Sequence, residues 1–276
     1  MKNGMKTRVA LSVVTIAMAA GLSSGTVSSS APPDDSQGID YTPPAVFQAA
    51  GPNAASIQSA VDQFRAALGA NNLSAPGPID GGRREINWDG GGTATSPAPT
   101  PFAGFLVNRG ALFTTPGTGF LQAPVDGLAT TFSNPAYLTQ FTPFSAVRLF
   151  TPVDHAVTDV FFFVPGGGNI PAVTNAFGAV FTDIDQPDGF SGKFGLRPAS
   201  VFLRYFDKDD NLLYTSVVPP SPGDGSLSFF GAVFTDARVA RVRIISGDVP
   251  LSSRDEQPDA DVVAMDDFIY GEPKGR

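Results

Sequence analysis

Seven residues, Phe177-Gly178-Ala179-Val180-Phe181-Thr182-Asp183, return unchanged as Phe230-Gly231-Ala232-Val233-Phe234-Thr235-Asp236. Each copy is too short for a stable helix, and Phe, Val and Thr favour extended chain. Alternation places Phe177, Ala179 and Phe181 on one face and Gly178, Val180 and Thr182 on the other. Neither face is polar enough to meet water, so both are expected to be covered, as in a central strand. Each strand then delivers an aspartate to the rim of a sheet. There is no third copy. A solenoid or propeller needs about three units to bury its faces, so two similar strands of one sandwich, duplicated or convergent, fit better.

The rest of the chain agrees with that reading. Beyond residue 91, short apolar runs stand between Gly, Pro, Asn and Asp breaks, at 104–107, 111–114, 119–122, 146–150, 156–164, 174–183, 199–206, 212–218, 227–234, 239–246 and 261–270. This spacing predicts an all-β fold, an antiparallel β-sandwich of jelly-roll-like form over residues 81–271. No helical pattern separates the runs, which disfavours a parallel α/β sheet. The clearest hairpin turns at Asp207–Asn211. Ahead of the sheets, Ile57, Val61, Phe64 and Leu68 keep helical spacing between a capping Asn53 and Gly69, so one short amphipathic helix is expected within 53–80. Residues 31–52, rich in Pro, Ser, Asp and Ala, are expected to form a linker or flexible arm. The single tryptophan, Trp88, ends a strand predicted over Glu85–Trp88 and is expected in the core.

The first 30 residues carry Lys2, Lys6 and Arg8, then an apolar run from Val9 to Leu22, then small polar residues. That is the order of an export signal, and the run is shorter than the roughly 20 residues that span a bilayer. A secreted or periplasmic product with no later membrane span is therefore expected. Its formal charge, −8 for the whole chain, would fall to about −11 once those three basic residues leave. Such a surface repels nucleic acid and favours cations. With no cysteine, disulfides cannot staple the fold, and bound metal is the expected substitute.

The acidic residues offer the clearest chemistry. Asp183, Asp185 and Asp188 fall within six residues of one another after the first copy of the repeat. Alternating carboxylates in a loop suit Ca²⁺, which takes six to eight oxygen ligands in flexible geometry. Asp267, from the closing strand, is the expected fourth ligand. Asp266 and Asp267 are consecutive, so regular alternation lets only one of them face inward. The Asp207–Asp210 cluster is better explained as turn carboxylates. Nucleophilic catalysis is poorly served: His155 is the only histidine, and no Gly-x-Ser-x-Gly elbow exists. A pair of carboxylates acting on a glycosidic bond needs only two acids at the right separation, which leaves a glycan-cleaving hydrolase as the alternative function.

The phrases Gly82-Arg-Arg-Glu-Ile-Asn-Trp-Asp-Gly90, Phe177 to Asp185, Asp207 to Tyr214 and Val263-Ala-Met-Asp-Asp-Phe-Ile-Tyr-Gly271 together resemble uncharacterised exported bacterial proteins with a jelly-roll-like body, of the kind found among surface and matrix proteins. The closing Asp-Asp-Phe strand also looks like that of calcium-stabilised carbohydrate-binding modules. The resemblance implies a jelly-roll-like fold and an exported compartment. The function expected from the residues is that of a non-catalytic, calcium-stabilised exported protein that binds a glycan or other surface polymer, or that self-assembles. Composition bears on the choice: 23 Phe stand against five Tyr and one Trp, whereas sugar platforms prefer rings with a polar edge.

Overall fold

The computed structural model describes residues 42–90, 97–185, 200–252 and 260–276. The expected signal (1–30) and the first half of the expected arm, residues 31–41, lie outside them. In chain order the strands are β1 (Ala45–Gly51), β2 (Arg83–Ile86), β3 (Ala98–Pro99), β4 (Ala111–Thr114), β5 (Gly119–Pro124), β6 (Arg148–Val153), β7 (Val157–Phe162) and β8 (Ala172–Val173). They continue as β9 (Ala176–Thr182), β10 (Val201–Phe206), β11 (Leu212–Val217), β12 (Leu227–Val233), β13 (Arg241–Ser246), β14 (Ala264–Gly271) and β15 (Lys274–Gly275). The helices are α1 (Ala54–Leu68), α2 (Leu106–Arg109), α3 (Val125–Thr131) and α4 (Tyr137–Gln140).

An eight-stranded sheet runs β1-β12-β9-β14-β6-β5-β3, with β2 also paired to β14, and a five-stranded sheet runs β11-β10-β13-β7-β4. The named strand pairs are all antiparallel, so the fold is the expected antiparallel β-sandwich. Its inner core takes alternate residues from both sheets: Phe113, Val160, Leu203, Tyr205, Val242 and Ile244 meet Phe150, Phe177, Phe181, Phe230, Phe268 and Tyr270. Trp88 lies fully inside this core, stacked on Phe150 at 3.8 Å between ring centroids. Among the described residues no helix is long and apolar enough to cross a membrane.

The two copies of the repeat are β9 and β12, direct neighbours whose registers place Gly178 opposite Gly231 and Phe177 opposite Ala232. Phe177, Ala179 and Phe181 point into the sandwich, and Val180 points outward to α1, so both faces are covered as expected. The bare glycine pair forms the floor on which Phe64 of α1 sits. A Cβ at Gly231 would lie 2.8 Å from that ring, and one at Gly178 2.9 Å from it. Helix α1 begins where expected: Asn53 accepts the Ser56 N–H through its side chain, and Ile57, Val61, Phe64 and Leu68 form its buried stripe.

Some expectations are corrected. Ala45–Gly51, the end of the stretch expected as a linker, is the edge strand β1, which pairs with β12 along its full length. Three further short helices accompany α1. One of them, α2, begins at Leu106, inside the run at 104–107 expected as strand, and α3 and α4 cover Leu121 and Leu149 on the outer side of β5 and β6. They were invisible because four to seven residues are too few to show a helical period. The third correction concerns Asp266 and Asp267. The register against β9 shifts between Asp266 and Phe268, and this bulge breaks the alternation, so both buried aspartates reach the same Ser145 hydroxyl.

Candidate functional site

The rim where β9 ends carries the least ordinary side chain of the molecule. Asp183 is only 1% exposed, its φ is 70°, and neither carboxylate oxygen has a hydrogen-bond partner. Left-handed backbone is unusual for a non-glycine residue, and an unpaired buried carboxylate is costly. The segment is firmly held even so. The Asp183 N–H donates to Ser226 O, and the Ser221 N–H donates to Ile184 O. Burial pushes the Asp183 carboxyl up to about 8, with Asp185, Asp261 and Asp224 adding repulsion. The nearby Gln140 amide offsets part of this without forming a good hydrogen bond.

Asp185 lies beside it. Its Oδ1 accepts the Gly223 N–H at 2.7 Å, and its own N–H donates to Asp261 Oδ1 at 3.3 Å. Asp261 is 2% exposed, accepts the Ser200 hydroxyl, and is pushed up to about 6 by burial. Three separate chain segments thus bring acidic groups to one rim. Among the described residues, however, no group of three or more Asp, Glu or His side chains is arranged to hold a metal ion. Any cation here would need backbone carbonyls and water alongside Asp183 and Asp185, which calcium accepts.

Asp188 lies outside the described residues. Asp267 does not join the rim. It sits near the middle of β14, three to four residues along the ladder from the position opposite Asp183, roughly 10 Å at strand spacing. There it accepts from Arg65 Nη2 at 2.9 Å and from Ser145 Oγ at 2.6 Å. Its neighbour Asp266 accepts three backbone N–H groups, from Phe144, Ser145 and Asp267. Burial raises both carboxyls, and Asp266 is raised further because Asp267 adds repulsion. The repeat explains why the other copy offers nothing similar. Antiparallel neighbours end at opposite rims, and Asp236 is exposed there in an ordinary pair with Arg238.

Asp261 is not among the metal ligands expected from the sequence. The signal was its position directly before the apolar Val262-Val263 of the closing segment, which marks an acid about to be buried. Asn72, which matches a glycosylation acceptor, spends its side-chain amide on Gly81 O and Glu272 Oε2. The Asp207–Asn211 turn is the carboxylate turn expected, with Asp207 accepting the N–H groups of Asp209 and Asn211.

A second polar feature lies between α1, β2 and β14. A cleft of about 270 Å³ is lined by Arg65, Glu85, Arg109, Ser145 and Asp267, among others. Arg65 bridges Glu85 and Asp267, donating from Nη2 at 2.9 Å to each.

Comparison with known proteins supplies no relative: no family model, curated protein or solved structure matches the chain.

Proposed function

We propose that this chain is a non-catalytic, exported β-sandwich that binds a glycan or other surface polymer, with its loop ends locked by calcium at Asp183 and Asp185. The observation that carries the calcium reading is Asp183 itself. A buried carboxylate with no donor, held in a strained backbone and ringed by other carboxylates, is the arrangement a divalent cation stabilises and few other partners can. The absence of cysteine gives an exported fold reason to use such a lock.

The test is thermal melting of the full chain in EDTA and in Ca²⁺. Calcium at 100 times its dissociation constant adds about 2.7 kcal/mol when only the folded state binds, a rise of about 5–11 °C for a domain of this size. Asp183→Asn should abolish the rise. Equal midpoints with and without calcium would remove the cation from the proposal.

A second reading, a glycan-cleaving hydrolase, has one observation in its favour. Glu85 and Asp267 share one Arg65 nitrogen, so their nearest oxygens lie within about 6 Å, a separation that carboxylate pairs use on glycosidic bonds. It ranks second because both acids are already committed to protein donors: Glu85 to Arg65 and Arg83, Asp267 to Arg65 and Ser145. Polysaccharide hydrolysis that is lost in Glu85→Gln would promote it.

A further inference from the structure

The two outer faces of the sandwich differ. That of the eight-stranded sheet is covered by α1, whereas no helix of the described residues lies over the five-stranded sheet, which α2 meets only beside the edge strand β4. On this second face the residues opposite the core form rows fixed by strand register. One row reads Thr215, Arg204, Arg243, Asp159, Thr114, and the next reads Leu212, Phe206, Arg241, Phe161, Leu112. A third begins Val217, Phe202, Ile245, Val157.

Stability does not explain the first row. Arg204 and Arg243 stand directly opposite each other, and like charges in that position destabilise a sheet. Asp159 is already shared by two guanidinium groups: Arg243 holds both its oxygens, and Arg241 Nη1 donates to Oδ1 at 2.8 Å. Arg204 is exposed and has no acidic partner among the described residues. Arg243 is 40% exposed despite its ion pair. On a chain of net charge −8, three guanidinium groups against two carboxylates, Asp159 and the Asp210 that also pairs with Arg241, leave a local excess of one positive charge, carried by Arg204. Phe202 and Phe206 flank Arg204 on β10, partly exposed and roughly 13 Å apart along the strand. The Arg241 guanidinium covers the Phe206 ring at 3.8 Å and so fixes its orientation.

We propose that this open face binds an acidic polysaccharide, with Arg204 and Arg243 receiving its carboxylates and Phe202 and Phe206 meeting the apolar faces of its sugar rings. A sparsely charged, ring-bearing polymer fits better than nucleic acid. Duplex nucleic acid carries a charge about every 1.7 Å, which one unpaired and two already paired guanidinium groups cannot offset against the chain's own acidity. This inference rests on the polymer-binding half of the proposed function and is independent of its calcium half.

The experiment measures binding of the full chain to polygalacturonate, to neutral dextran and to a single-stranded oligonucleotide, with sedimentation velocity run in parallel. Polygalacturonate should bind, and binding should weaken as added salt shortens the Debye length from about 10 Å to about 3 Å. Arg204→Ala and Arg243→Ala should each weaken binding by about ten-fold, the loss of one charge-assisted hydrogen bond. Arg204→Ala should also melt no lower than the parent, since it relieves a like-charge pair; this separates lost binding from lost fold. Binding of dextran alone would spare the broader reading and overturn this one. Failure to bind polygalacturonate, unchanged binding in both variants, tighter binding of the oligonucleotide, or self-association lost in Arg204→Ala would each overturn it. Unchanged polygalacturonate binding by Asp183→Asn in EDTA would show the two halves to be separate.

Discussion

Asp183 sets the pH behaviour expected of the metal-free protein. An aspartate that ionises near 3.8 in the unfolded chain and at about 8 in the folded one leaves the folded state holding an extra proton between those values. Stability from this group is therefore complete below about pH 4 and is lost as pH rises toward 8, by on the order of 5 kcal/mol at most. Asp261, pushed up to about 6, and the raised Asp266 and Asp267 act in the same direction. A divalent cation reverses the preference at the rim because it binds the ionised form. The gap between melting midpoints in calcium and in EDTA should therefore widen from pH 6 to pH 8. Asp183→Asn should close the gap and, in EDTA at pH 8, should melt above the parent. A pH-independent gap would mean that calcium acts somewhere other than this rim.

At the scale of elements, the repeat accounts for the seat of α1. Phe64 rests on Gly178 and Gly231 and meets Phe47 and Phe229 edge-on. Phe64→Ala should cost about 3–5 kcal/mol, as large buried truncations do. The two glycines should not be equivalent. The three atoms nearest a Cβ at Gly231 all belong to the Phe64 ring, whereas one at Gly178 also lies 2.9 Å from the Gly231 Cα and 3.0 Å from the Phe230 carbonyl oxygen. Both alanine variants should destabilise, by about 1–3 kcal/mol, and Gly178→Ala by more. Adding Phe64→Leu should relieve Gly231→Ala and leave most of the Gly178→Ala cost, in denaturant melts of the four-variant set. Much of this arrangement was legible beforehand, because alternation in a seven-residue apolar run decides which side chains face inward. What alternation could not reveal was that the copies lie side by side, which sends Asp183 and Asp236 to opposite rims. Nor could it reveal the bulge that brings both Asp266 and Asp267 to the Ser145 hydroxyl, because a bulge is a break in the period the reading depends on.

For the molecule as a whole, the decisive contact joins parts of the chain too far apart in sequence for any local pattern to connect. Arg84 of β2 and Glu272, just past β14, form a fork-to-fork ion pair with side chains 0% and 1% exposed. Arg84 Nη1 also donates to Leu73 O and Ala75 O. Glu272 in turn accepts from the Ile79 N–H and the Asn72 side chain. The connection between α1 and β2 is thus tied, through one buried pair, to the strand that runs down the middle of the larger sheet. Two desolvated charges at the centre of such a network are expensive apart and satisfied together. Arg84→Ala or Glu272→Ala alone should therefore cost about 3–5 kcal/mol, because each strands a buried charge. Arg84→Met combined with Glu272→Leu should cost well under the sum of the single changes. Hydrogen exchange should separate this role from general packing. Either single variant should lose amide protection first at Ala75, Gly77 and Ile79, before the core strands β9 and β12, whose protection comes from their own ladder. Simultaneous loss across both regions would mean that the pair supports the whole sandwich rather than the α1–β2 connection it encloses.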